Sequence, residues 1–186
     1  MTLKEMKKKV LTMIEELNPD SEYLTDDPDI QLKFNDIVNQ IMFEVIRIKK
    51  LPMYVEMEVS KGDILKFEDI EKASKYSVYQ LGNVSGIECE IKAQGTIVKV
   101  LESGTAEIDF YRYPEAITSN TKDSYEFDIP SDLLEIMPYG IAGDALKSDI
   151  SSDYGAIYSN RYEMMLQRLD PRYSTELFTV DNSNAI

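Results

Sequence analysis

The sequence predicts an α+β protein: a helical bundle made from N- and C-terminal helices, an antiparallel β segment inserted between them, and an extended C-terminal arm. Three observations carry this prediction. Apolar residues recur every three or four positions up to about residue 50 and again from 130 to 169; they alternate with polar residues from Met53 onward; and no strong period follows Asp170-Pro171. The expected organisation is a helical domain of residues 1–52 and 130–170, an inserted β domain of 53–129, and an arm of 171–186.

Thr2 and Glu5 have the spacing of a capping box, and Leu3, Met6, Val10, Ile14 and Leu17 share one stripe. A first helix is therefore expected from Thr2 to about Leu17, ended by Asn18-Pro19-Asp20. The acidic connector from Ser21 to Asp26 leads to Asp27-Pro28, where Asp27 suits the orphan amides and Pro28 has the φ angle of a first helical position. Ile30, Phe34, Ile37, Ile41, Val45 and Ile48 carry this second helix to about residue 50, with Leu32, Val38 and Met42 as a second apolar edge. Asp29 at its start and Lys49-Lys50 at its end complement the helix dipole, and Leu51-Pro52 stops it.

After Pro52 the period changes to two. Met53, Val55, Met57 and Val59 point one way, and Tyr54, Glu56 and Glu58 the other, as in a half-buried strand. Lys61-Gly62-Asp63 turns into Ile64 to Phe67, and further strand-like runs cover Tyr76 to Leu81, Ile87 to Lys92, Thr96 to Leu101 and Thr105 to Tyr113. The short links among the later runs favour antiparallel hairpins, because parallel pairing needs longer crossovers. Ser119 to Asp123 reads as a loop, and Tyr125 to Ile129 as a last extended piece. Ser131 is placed to cap a third helix with the stripe Leu134, Met137, Ile141 and Ala145, which Pro138 should kink or delay. Gly140 and Gly143 within it lose about 1 kcal/mol each against Ala, so close backbone approach is expected there. A final helix is expected from about Ser152 to Leu169, with Tyr154, Ile157 or Tyr158, Arg161, Met165 and Leu169 at helical spacing.

Composition narrows the chemistry. The chain has 186 residues, a net charge of −14, one Cys and neither His nor Trp. Without imidazole there is no Ser-His-Asp or Cys-His machinery and no His-ligated zinc. A lone Cys89 on a strand excludes a disulfide framework and reads as a packing residue. The Lys-rich start lacks the apolar run and cleavage site of a secretory signal, and no apolar stretch reaches the roughly 20 residues of a membrane span. A soluble protein folding in a reducing cytoplasm is the expectation. The acidity opposes ordinary nucleic-acid binding. It is uneven: residues 1–10 are basic, whereas residues 15–36 carry eight acids against Lys33, a separation suited to head-to-tail contacts between copies.

Catalytic and metal candidates are sparse. Asp20, Glu22, Asp26, Asp27 and Asp29 lack the spacing of a calcium loop. Glu90-Ile91-Lys92 has the Glu-x-Lys pattern with which one nuclease superfamily holds a divalent metal and polarises water, but alternation places both residues on the solvent face as a charge pair. Ser148, Ser151 and Ser152 near Lys147 read as a loop. No metal or cofactor is expected. Tyr is abundant, at twelve residues, and Tyr139, Tyr154, Tyr158, Tyr162 and Tyr173 concentrate toward the C-terminus, a composition favoured at interfaces. Leu177 and Phe178 follow a firm helix stop with no core of their own to join; burial on a partner would contribute about 1.5 to 3 kcal/mol each.

Three stretches together cover most of the chain: helices followed by a β insertion whose last strand reads Ile108-Asp-Phe-Tyr-Arg-Tyr-Pro-Glu115; Tyr125-Glu-Phe-Asp-Ile-Pro-Ser-Asp-Leu-Leu-Glu-Ile-Met-Pro-Tyr-Gly-Ile-Ala-Gly-Asp-Ala-Leu146; and Tyr158-Ser-Asn-Arg-Tyr-Glu-Met-Met-Leu-Gln-Arg-Leu169. In these the chain resembles the head-to-tail connector, or adaptor, proteins of tailed bacteriophages. The resemblance implies a non-enzymatic virion protein, assembled in the bacterial host cytoplasm. Its subunits would form a ring, expected to be dodecameric, between the portal protein and a downstream neck or tail protein, with DNA passing through an axial channel without specific binding. It also implies a C-terminal arm reaching the portal, formed here by Tyr173, Leu177, Phe178 and Val180, and a β insertion serving tail or neighbour contacts. Two other readings stand beside it: a small magnesium-dependent nuclease using Glu90 and Lys92, and an acidic mimic of DNA.

Overall fold

The first helix, α1 (Leu3–Met13), is started by the capping box: Thr2 Oγ1 accepts from the Glu5 N–H at 3.2 Å and the Glu5 carboxylate accepts from the Thr2 N–H at 2.8 Å. The computed structural model describes residues 1–147 and 153–169. Helix α1 ends four residues before the expected Leu17. Glu15 enters the left-handed region at φ 62°, its N–H donates to Thr12 O, and the Glu16 N–H reaches back to Leu11 O at 2.9 Å. This is the Schellman closure that glycine usually marks; with glutamate at that position the sequence carries no sign of it. Helix α2 (Pro28–Ile48) begins as expected, with Asp27 Oδ1 accepting from the N–H groups of Asp29 and Ile30 at 2.8 and 3.2 Å. Its buried face is Ile30, Phe34, Val38, Ile41, Met42, Val45 and Ile46, so Val38 and Met42 lie at its centre, whereas Leu32 is 78% exposed.

Strand β1 (Leu51–Val59) alternates as the sequence predicts, with Tyr54, Glu56 and Glu58 on the open side. Next come β2 (Ile64–Lys66) and a helix absent from the sequence reading, α3 (Phe67–Ser74). Two features start and orient this short helix: the Asp69 carboxylate accepts from the Lys66 N–H at 3.0 Å, and Ile70 is its one buried residue. With so few apolar positions it shows little helical periodicity. β3 (Val78–Ser85) begins after the expected Tyr76 and runs past the expected Leu81. Gly82-Asn83 forms a bulge where the pairing slips between Leu81 and Val84, and a Cβ at Gly82 would lie 2.9 Å from Asp109 O. β4 (Cys89–Lys92), β5 (Ile97–Val100) and β6 (Gly104–Arg112) follow.

All pairing between these strands is antiparallel, in two three-stranded sheets ordered β1-β6-β3 and β2-β5-β4. Val59, Leu65, Ile70, Val78, Leu81, Val98, Val100, Ala106, Ile108 and Phe110 form one apolar cluster between them. Residues 117–129 differ from the expected boundary. Ile117, Phe127 and Ile129 are buried with the helices. The Asn39 side chain of α2 exchanges two hydrogen bonds with the Ile117 backbone, at 2.7 and 2.8 Å. The expected extended piece at 125–129 is reduced to a single bridge, Thr2 to Glu126, beside the start of α1.

Helix α4 (Ser131–Ala145) is the centre of the helical cluster and touches α1, α2 and α5 (Tyr154–Leu166). Pro130, not Ser131, occupies its cap position, and the Leu133 and Leu134 N–H groups both donate to Pro130 O at 3.1 Å. Pro138 is accommodated inside the helix, which is buried on almost every side: Leu133, Ile136, Met137, Ile141 and Ala142 are all in the core. Helix α5 keeps Tyr158, Met165 and Leu169 of the expected stripe against the helical core but not Tyr154, Ile157 or Arg161. It buries Gly155 and Tyr162, while Tyr154 is 61% exposed and Ile157 is also turned outward. Apolar residues (Tyr158, Tyr162, Met165 and Leu166) and the small Gly155 and Ser159 together make its contact side.

The chain leaves the helical cluster at Leu51 and returns at Arg112, which are paired neighbours on β1 and β6. A buried cation sits at each passage. Lys49 forms an ion pair with Asp132 in the first turn of α4, and Arg112 forms one with Asp128, two residues before Pro130. Both cations are more than nine-tenths buried, while their carboxylates are more open. Among the described residues no helix is long and apolar enough to cross a membrane.

Removing one partner of such a pair leaves a desolvated charge, whereas replacing the cation by an apolar residue of similar size does not. Asp132→Ala is expected to destabilise by about 1 to 3 kcal/mol, discounted from the fully buried case because Asp132 is partly open. Lys49→Met is expected to lie within about 1 kcal/mol of the parent. Paired urea denaturation curves check this; equal losses in both variants would contradict the ion-pair account.

Candidate functional site

The candidate site residues fall in three places. Tyr173, Leu177, Phe178 and Val180, the expected arm, lie outside the described residues, as do Ser148, Ser151 and Ser152. Gly140 and Gly143 lie on α4 where it meets two other helices. A Cβ at Gly140 would stand 3.0 Å from both Ile41 Cδ1 of α2 and the Tyr162 ring of α5. One at Gly143 would stand 2.5 Å from Ser159 Oγ and 3.1 Å from the Ser159 backbone nitrogen. The Tyr162 ring that fills this space is buried; its burial and the neighbouring Glu44 carboxylate push the phenol well above the ordinary tyrosine range. Arg161, one position away, stacks on the Tyr139 ring at 4.8 Å, and the Tyr158 hydroxyl donates to Met13 O at 2.6 Å. The tyrosines of α5 that are in the core therefore bind α4 and the end of α1, while Tyr154 remains open to solvent.

Glu90 and Lys92 lie on β4 at the edge of the smaller sheet, both exposed. Lys92 Nζ is 2.9 Å from Glu90 Oε2, and Lys99, directly across on β5, is 4.0 Å from the same oxygen. The Lys92 hydrogen bond, then the charges of Lys92 and Lys99, hold the Glu90 carboxyl below the usual glutamate range. The geometry is that of a surface charge network. Burial pushes the Cys89 thiol up, away from the thiolate a reactive cysteine needs. In the acidic connector, Asp27 is occupied as a helix cap and Asp29 pairs with Lys33 at 3.2 Å. Among the described residues no group of three or more Cys, Asp or Glu side chains is placed to hold a metal ion.

Sequence reasoning did not single out the outer face of the β1-β6-β3 sheet. Glu56 and Glu107 stand directly opposite one another on β1 and β6, with Glu58 and Asp109 on the same face. Like charges in that relation oppose pairing. Hydroxyl groups, not cations, satisfy the carboxylates: Tyr54 donates to Glu56 at 3.1 Å, Thr105 to Glu58 at 2.6 Å and Ser85 to Glu107 at 3.1 Å. Among the described residues none of these four acids enters an ion pair. The hydrogen bond to Glu56 and that carboxylate's charge push the Tyr54 phenol up, the sign expected of an electronegative surface. The signal was present in the sequence as the outward set Tyr54, Glu56, Glu58 and the alternating Glu107 and Asp109. Only the strand register shows that the two sets coincide.

Neither a protein-family model nor a curated protein sequence matches the chain.

At Gly143 the obstacle is Ser159, both side chain and backbone. Gly143→Ala is expected to destabilise by about 1 to 3 kcal/mol despite the better helix propensity of alanine. Adding Ser159→Gly, which removes the nearest atom, should recover part of that loss. Thermal melts of the two variants check it, and a stabilised Gly143→Ala would contradict the close packing.

Proposed function

We propose that this chain is a structural, non-enzymatic subunit of a ring at the head-to-tail junction of a tailed bacteriophage. In this reading the ring stands between the portal and a downstream neck or tail protein and extends the path of the DNA. The helical cluster is the body of the subunit, the β sheets form its projecting part, and residues 171–186 form an arm that attaches to the portal.

The observation that carries the reading is the acidic outer face of β1 and β6, with Glu56, Glu58, Glu107 and Asp109 left without cation partners among the described residues. A carboxylate surface repels the phosphate backbone, and a channel wall of that character lets a duplex slide without adhering. The order of elements supports the same reading, since helices at both ends of the chain share one core while an antiparallel β unit is inserted between them. It agrees with the three stretches of resemblance in the sequence.

The test is a chain ending at Asp170, compared with the full-length protein for binding to the portal ring of the same phage. The truncated chain should keep its circular dichroism spectrum and melting temperature, because the apolar core formed by the described residues is complete in it. It should lose co-sedimentation with the portal. Full attachment by the truncated chain would contradict the role given to the arm.

A further inference from the structure

Helix α5 turns Ile157 and Met164 outward, 55% and 54% exposed. Arg161 and Arg168, both exposed, share that side at steps of three and four residues. The Arg161 guanidinium is fixed over the Tyr139 ring, 4.8 Å from its centre, and Arg168 enters no ion pair among the described residues. Apolar side chains framed by arginines make an interaction surface, since Met and Arg are both enriched where proteins meet.

On α2 the same spacing recurs with the charges reversed. Leu32 is the most open of the large apolar residues described, and it stands between Asp29, three positions before it, and Asp36, four after. Met164 stands between Arg161 and Arg168 at the same two steps along the chain. Each apolar side chain is thus framed by two like charges about 10 Å apart along the helix axis, anionic on α2 and cationic on α5. Asp36 enters no ion pair among the described residues, and Asp29 pairs only with Lys33 of its own helix. Both faces are exposed in one subunit, so neither covers the other. Joined between copies they form a head-to-tail contact, and only closure into a ring leaves no face over.

We propose that α5 of one copy packs on the N-terminal half of α2 of the next, with Met164 against Leu32 and the arginines beside Asp29 and Asp36. This contact deepens the role proposed above and rests on it in taking the assembly to be a ring. The test is cross-linking of the full-length chain by a short bismaleimide in a Cys89→Ala background, first alone at rising concentration and then with purified portal rings. A chain carrying both Leu32→Cys and Met164→Cys should give a ladder of dimers, trimers and higher species. Either single variant should stay monomeric, and the two mixed should stop at the dimer. Adding Arg168→Glu, at an exposed position, should slow the ladder by about threefold, the worth of a surface ion pair. Dimers from Met164→Cys alone would seat α5 on α5 of a second copy, and a ladder that forms only when the chain ends at Asp170 would assign the α5 face to the chain's own arm. Either result overturns the contact, as does an unchanged rate with Arg168→Glu or the absence of a ladder in both settings. Portal rings that bind the protein without a ladder remove this contact alone, whereas a ladder in protein that ignores the portal keeps the contact and removes the portal reading.

Discussion

Two buried cations hold the helical cluster and the β sheets in one arrangement. Lys49 stands where the chain leaves the helices and Arg112 where it returns, and both reach carboxylates that flank the start of α4. Asp128 and Asp132 are thus tied to opposite sides of a two-strand neck, whose own pairing joins Leu51 to Arg112. Buried ion pairs contribute little net stability, because desolvation offsets the attraction, yet they strongly disfavour geometries in which the charge is left alone. The neck therefore specifies the orientation of α4 relative to the sheets, and everything packed on α4 inherits it.

Helix α4 transmits that orientation because it is buried on nearly all sides and contacts α1, α2 and α5. Gly140 and Gly143 leave no room for a Cβ beside Tyr162 and Ser159 of α5, so sliding α5 along α4 would press those two residues onto positions that carry side chains. A rigid helical body carrying an acidic sheet face suits a subunit whose work is to present surfaces to neighbours. The Arg112 Nε, buried and without a hydrogen-bond partner among the described residues, lies at the same neck.

Much of this was legible in the sequence. Asp27-Pro28, the Thr2 and Glu5 box, and the alternation of β1 each have a local chemical cause that survives in the fold. What escaped notice depends on contacts distant in sequence. Glu15 closes α1 in a conformation normally left to glycine, α3 has a single buried residue, and the bulge at Gly82-Asn83 carries β3 past an apparent breaker. The stripe read on α5 held at Tyr158, Met165 and Leu169 but missed Tyr162 and Ser159, whose places are set by the glycines of α4 that they face. The neck ion pairs join positions 83 and 16 residues apart, beyond any local pattern, and the acidic face emerges only when Glu56 and Glu107 are brought into register.

In the role proposed above, this chain works through assembly with copies of itself and a larger particle. Native mass spectrometry of the full-length protein mixed with purified portal rings tests that most directly. The account predicts one dominant complex in which a fixed whole number of subunits is added to each portal ring. A portal whose mass is unchanged, beside a protein that stays monomeric at every concentration, would contradict it.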